Sequence, residues 1–239
     1  MRSLILILFS ALLFSSCSEN KKEEVKLDEQ VKLDKVMTQE EQKSLTPEKV
    51  LTLLKEGNDR FVKGELTVKD VPKQIIEASK GQYPKAVILS CLDSRVPIEK
   101  VFDRSIGDVF VARVAGNIVN TDILASMEYG CKVSGAKVIL VLGHTDCGAV
   151  KSAIDNVQMG NITELLAKIR PSIDSLGAYS GEKTSKNKEF LEKVSNENVR
   201  TAIDNIRLNS PILKEMEDKG EIKIVGADYD IDNGKVKFY

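Results

Sequence analysis

The stretch "AKVILVLGHTDCGAV" (residues 136–150) decides the fold. Its apolar run is β-branched, unbroken and short, which reads as a strand buried on both faces rather than as a helix. It closes on Gly143 and His144, the one histidine among 239 residues, and Cys147 then opens a helical pattern, "CGAVKSAIDNV" (147–157). A buried strand feeding a helix is half of a βαβ unit, and two further runs of the same kind, "KAVILSC" (85–91) and "DVFVARV" (108–114), precede it. Helical stretches lie between and after them: "NTDILASMEYGCKVSG" (120–135), "NITELLAKIRPSIDSL" (161–176) and "KNKEFLEKVSNENVRTAIDNIRLN" (186–209). Strands alternating with helices imply an α/β fold, with a central, mainly parallel sheet, flanking helices and right-handed crossovers. "TPEKVLTLLKEGNDRFVKG" (46–64) adds an N-terminal helical arm, with Thr46 as N-cap and Pro47 at the first helical position. "EIKIVGADYDIDNGKVKFY" (221–239) ends the chain as a hairpin about Asp232-Asn233-Gly234.

That topology gives His144 a meaning. Open α/β sheets place their ligands beyond the carboxyl ends of their strands, and Cys91 and His144 both stand there, so their separation in sequence is no obstacle to their meeting. Cys147 at a helix N-terminus is placed where backbone amides favour a thiolate. Two thiolates and one imidazole suit zinc, and three protein ligands leave the fourth tetrahedral position open for chemistry. The plainer alternative makes Cys91 and Cys147 small buried hydrophobes and His144 a satisfied core histidine. Asp93 and Arg95 in "CLDSR", directly beyond a buried strand, and the glycines 116, 143 and 148 weigh against it. A phosphatase-like nucleophile at Cys91 with Arg95 as anion holder would need a longer loop to wrap a phosphate. Cys131 reads as a core thiol, and Asp146 as a capping or hydrogen-bonding residue.

The ends of the chain carry a different message. "MRSLILILFSALLFSSC" (1–17) has a basic start, a short apolar run and small residues before a cysteine, the pattern of a secretory signal too short to span a bilayer. Residues 18–45 are rich in both charges and poor in bulky apolar groups, which reads as a solvated tether, with an exposed helix as the alternative that the lack of Gly and Pro permits. Residues 46–239 are then long enough for one domain with a sizeable core. With 35 basic residues against 36 acidic ones and no dense basic cluster, nucleic acid is not an expected partner. Beyond Cys17 there remain three cysteines, an odd number that excludes a complete disulfide framework.

"CLDSRVP" followed some fifty residues later by "GHTDCGA" resembles the β-class carbonic anhydrases, and the likeness extends through "EGNDRF", "GDVFVARVAGN", "ASMEYG" and "GADYDIDNGKVKF". The resemblance implies one Zn2+ per chain on Cys91, His144 and Cys147, and a catalytic pair, Asp93 and Arg95. It implies a pocket lined by Gln82, Phe110, Tyr129 and Gly148 that is completed across a homodimer, or a dimer of dimers. The reaction implied is reversible hydration of CO2 to bicarbonate and a proton by hydroxide generated on zinc. Alternatives are a related hydrolase of CS2 or COS, a noncatalytic zinc or bicarbonate-binding lipoprotein, or a redox protein pairing Cys91 with Cys147. Bicarbonate-regulated members of the family close the site with a tryptophan-containing anion clamp. This chain has no tryptophan; Ile88 stands in its place and Arg113 keeps one part of the clamp, so the open form is expected. Leu92 and Ala149 depart from the family's usual residues without touching a ligand. The N-terminus similarly resembles a bacterial lipoprotein signal, which implies acylation of Cys17 and anchoring in the periplasm at the outer membrane.

Overall fold

The computed structural model describes residues 35–239. The signal-like residues 1–17, Cys17 and the tether as far as residue 34 lie outside the described residues. Among the described residues there are five strands, β1 (Ala86–Ser90), β2 (Val109–Arg113), β3 (Val138–His144), β4 (Lys223–Tyr229) and β5 (Val236–Phe238), in the order β2-β1-β3-β4-β5. The first four pair in parallel and β5 returns antiparallel on β4. The helices are α1 (Gln39–Ser44), α2 (Pro47–Lys63), α3 (Val71–Ala78), α4 (Ile98–Val101), α5 (Thr121–Glu128), α6 (Gly148–Ile154), α7 (Gly160–Ala167), α8 (Arg170–Asp174), α9 (Lys188–Asn209) and α10 (Pro211–Asp218).

The sheet divides the core by side-chain parity, as a period of two requires. Val87, Leu89, Ile139 and Val141 face α9 through Val199, Ile203 and Ile206. Ile88, Leu140 and Leu142 face α2 through Val50 and Leu54. A third cluster lies beyond the strand ends, where Cys91 and Cys147 pack with Ile169, Phe190 and Val194. Each of the fully buried aliphatic side chains adds roughly 2 kcal/mol of burial, and the sheet they fix is what aims the strand ends.

The arm helix α2 forms as its sequence predicts. The Thr46 hydroxyl accepts from the Lys49 amide, Pro47 occupies the first turn, and Gly64 ends the helix with left-handed φ of 74°. Four expectations are revised. β1 and β3 are fully buried, but β2 is the edge strand and its apolar residues are only half-buried. Residues 39–44, assigned by charge to the tether, form a helix with a Thr38–Glu41 capping box. Gln42 of this helix is buried, donating to the carbonyls of Pro84 and Ser134 at 2.7 Å each. The stretch 161–176 divides into α7 and α8, and α5 runs on through a widened turn, Tyr129–Val133, in which the Ser134 amide reaches the Tyr129 carbonyl. Helices α3 and α10 carried no reading in the sequence.

Candidate metal centre

Pairing in register brings the ends of β1 and β3 side by side: Ser90 lies beside Leu142, so Cys91 and His144 leave the sheet on neighbouring strands. Cys147 follows as the N-cap of α6 after a tight turn in which Asp146 has φ of 59°. The sulfurs of Cys91 and Cys147 are 3.9 Å apart, and the ligand atoms of Cys91, His144 and Cys147 all lie within 4.8 Å of one another, every one buried. Two thiolates on a tetrahedral zinc at about 2.3 Å stand about 3.8 Å apart, so the spacing fits that ion and is too long for a disulfide.

The imidazole is oriented for the same purpose. Its Nδ1 faces the Thr145 carbonyl at 2.8 Å, which places the ring proton there and leaves the Nε2 lone pair free. Nε2 is buried without a hydrogen-bond partner. Such a group is costly unless something completes it. The charges point the same way. Hydrogen bonding from Cys147 holds the Cys91 thiol well below its usual range, against the cost of its burial, with further help from His144 and from the Gly116 amide 3.4 Å from the sulfur. Once Cys91 is ionised, the thiol of Cys147 is driven up by that neighbour and by burial. Burial alone would lower the His144 pKa, but the Cys91 thiolate outweighs it and raises it. Two buried sulfurs and an imidazole whose Nε2 lacks a partner are a donor set that suits a divalent cation.

Gly116 is held in turn. It has φ of 68°, and a Cβ there would come within 2.6 Å of Ile169, so only glycine brings this amide to the sulfur. Its carbonyl accepts from the buried Asn198 of α9 at 2.7 Å. Asn198 and Thr145 were not singled out in the sequence, since neither lies in a spacing that marks it.

Asp93 sits at the mouth of the cluster, with Oδ2 3.8 Å from His144 Nε2. Arg95 grips it as a fork, Nε to Oδ1 at 3.0 Å and Nη2 to Oδ2 at 2.8 Å, while the Arg95 amide also reaches Oδ1 at 2.9 Å. Those bonds keep the carboxyl ionised, with a pKa of about 2. Asp146 is exposed and paired with Lys151, consistent with a hydrogen-bonding role. Cys131 is a buried thiol pushed up to about 12 by burial, as expected for core.

The pocket candidates are more dispersed. Gly148 is adjacent to the cluster at the start of α6, with open space where a side chain would be. Phe110 and Tyr129 pack together, ring centres 6.4 Å apart, with Tyr129 half-exposed. Phe110 pairs with Val87, four residues before Cys91, and so lies about 13 Å back along the sheet from the strand end. Gln82 is exposed in the loop before β1.

A family profile described as carbonic anhydrase matches residues 86–236. A protein named carbonic anhydrase 2 from Mycobacterium tuberculosis is 35% identical over 191 residues, covering 76% of this chain and 87% of that protein. A carbonic anhydrase from Mycolicibacterium smegmatis is 37% identical over 193 residues, covering 77% and 89%. Among solved structures, a tetrameric β-carbonic anhydrase from Sordaria macrospora superposes with a TM-score of 0.62 at 26% identity, over 70% of this chain and 86% of that one. A β-carbonic anhydrase from Coccomyxa in complex with acetazolamide gives 0.62 at 26% identity, over 79% and 85%. With the parallel sheet and the Cys91–His144–Cys147 cluster already in place, these matches identify the chain as a member of the β-class carbonic anhydrase family of enzymes.

Proposed function

We propose that Cys91, His144 and Cys147 hold one zinc ion per chain and that the protein hydrates CO2 reversibly to bicarbonate and a proton. The observation that carries this reading is the buried, unpartnered Nε2 of His144 facing two buried sulfurs 3.9 Å apart. When bound at such a site, zinc supplies an activated water nucleophile near neutral pH.

The chain's own groups account for the rest. Asp93, kept ionised by Arg95, can only accept hydrogen bonds. Lying 3.8 Å from His144 Nε2, it would accept a hydrogen bond from an O–H nucleophile at the mouth of the cluster, leaving the proton on that oxygen and turning its lone pair towards the carbon of CO2. Because Arg95 occupies the Asp93 carboxylate, the reading favours the open arrangement, in which the carboxylate stays off the metal. Proton release is the weaker step. His144 is the chain's single histidine and both its nitrogens are spoken for, so no imidazole is left to ferry protons and turnover depends on external buffer or on water and carboxylate relays.

The pocket reading also extends to a second copy: Phe110, Tyr129 and Gln82, remote from their own cluster, are suited to line the site of a partner chain beside its Gly148. Cys17 is the proposed lipid attachment point, the charged stretch that follows it serves as the spacer, and the enzyme is an exported lipoprotein anchored at the outer membrane.

Zinc content and stopped-flow CO2 hydration on the purified protein test the central reading. One zinc per chain with hydration that accelerates with buffer concentration is expected. A protein that binds zinc but leaves CO2 unreacted would overturn the proposed function, as would a Cys91–Cys147 disulfide in a metal-free protein. Labelling of Cys17 by radioactive palmitate in cells tests the anchor.

A further inference from the structure

The parallel ladder between β1 and β2 ends at Ser90 and Arg113, and the Val114 amide adds one last backbone bond to the Ser90 carbonyl at 3.1 Å. Beyond that point the side chain of Arg113 takes over from the backbone. Its Nε donates to the Cys91 carbonyl at 3.1 Å and its Nη2 to the Asp93 carbonyl. These two residues carry the cluster's first sulfur and the carboxylate at its mouth. Their side chains are held separately, Cys91 by the Gly116 amide and Asp93 by the Arg95 fork.

We propose that Arg113 is a positioning residue for the reaction: its guanidinium spans the carbonyls of Cys91 and Asp93 and fixes the backbone of the loop 91–95, so that the sulfur and the carboxylate keep their relative placement. This inference rests on the proposed hydration of CO2 only for its catalytic consequence; the holding of the loop stands on geometry alone. Two arginines thus divide the work, Arg95 gripping the carboxylate and Arg113 the chain that bears it. A planar fork holds two carbonyls through donors in fixed directions, whereas the three donors of a lysine share one rotatable ammonium on a flexible stem and set the geometry less firmly.

The test compares the full-length, zinc-loaded protein with Arg113→Lys and Arg113→Ala by amide hydrogen exchange and by CO2 hydration. In the loop the reporter amides are those of Arg95 and Val96, bonded to the Asp93 carboxylate and carbonyl. In Arg113→Ala they are expected to exchange at least about tenfold faster, while the amides of β1 and β3 keep their protection and zinc stays at the wild-type amount. Over the same pair kcat is expected to fall roughly ten- to a hundredfold with little change in KM. Arg113→Lys falls between, and added methylguanidinium restores part of the rate to Arg113→Ala. Unchanged exchange of Arg95 and Val96 overturns the proposal, as does a loss of protection spread over β1 and β2, which would make Arg113 a strand-end brace. If wild-type protein fails to hydrate CO2, the functional reading fails, and the exchange comparison still decides whether Arg113 holds the loop.

Discussion

Two aspartates in this molecule are held by arginine, and both have carboxyls lowered to about 2. Asp93 stands at the mouth of the cluster; Asp103, in the turn after α4, is fully buried with φ of 48°. Burial pushes the Asp103 carboxyl up, and the Thr67 hydroxyl, Arg60, Lys69 and the Thr67 amide together outweigh it. Its Oδ2 accepts from Arg60 Nε and the Thr67 hydroxyl at 2.6 Å each, and its Oδ1 faces Lys69 Nζ at 3.1 Å. Every lone pair is used, and Asp103 is finished as a chemical group. On Asp93 the donors are Arg95's alone, and Oδ2 keeps a side turned to the free Nε2 of His144. A depressed pKa therefore does not tell catalyst from brace; spare acceptor capacity beside an incomplete cluster does.

The sharpest way to break this contrast is to remove each carboxylate. Asp103→Ala leaves Arg60 and Lys69 around an empty, water-poor site and is expected to cost about 3–5 kcal/mol of stability, the usual penalty for breaking a buried pair, measured by urea unfolding. Zinc content and turnover per folded molecule should stay at the wild-type level. Asp93→Asn is the converse. Hydration should drop roughly a hundredfold or more, while stability shifts by less than about 1 kcal/mol because the Arg95 partner is half-exposed. If Asp103→Ala abolished turnover in a stable protein, the division between the two carboxylates would be lost.

The sequence made one of these aspartates legible and hid the other, for a physical reason. Asp93 follows a buried strand that ends in the Cys91–His144–Cys147 cluster, so the strand pattern and the rule of carboxyl-end sites locate it together with Cys91 and His144. Asp103 is completed by Arg60, Thr67 and Lys69, 43, 36 and 34 residues earlier, and no period connects them. The bond from Asn198 to Gly116, across 82 residues, was hidden in the same way. β2 shows a different limit, because a continuous apolar run signals apolar surroundings without saying whether a neighbouring strand lies on both sides. Helix α1 was masked by its composition: its charges point to solvent, and the single residue that docks it is the polar Gln42.

Acid should sharpen the contrast further. Asp103 has a folded pKa of about 2 against about 3.9 unfolded, so its contribution is fully present above about pH 5 and is lost as pH falls through the unfolded value and then through 2. The shift corresponds to about 2.6 kcal/mol. The stability gap between wild type and Asp103→Asn should therefore be constant from pH 7 to about 5 and narrow by about that amount towards pH 2. A gap that ignores pH would mean that the Asn side chain loses packing rather than charge.

The smallest effect is expected at a third carboxylate, and it tests whether Arg95 is shared. Asp146 lies 3.6 Å from Arg95 Nη1 on the side away from Asp93, is about half-exposed, and is paired with Lys151. Exposed pairs of this kind contribute about 0–1 kcal/mol, and asparagine is among the side chains that best tolerate the left-handed backbone at this position. Asp146→Asn should thus move stability by less than about 0.5 kcal/mol and hydration by less than about twofold, since a screened charge beside an exposed arginine sets little of its orientation. Arg95 already has two bonds to Asp93 to fix it, and a third, looser contact adds almost nothing to a bidentate fork. A rate loss in Asp146→Asn approaching that of Asp93→Asn would mean that Arg95 is aimed from both sides. The unit at the mouth of the cluster would then be Asp93, Arg95 and Asp146 acting together, and spare acceptor capacity on one carboxylate would no longer suffice to define it.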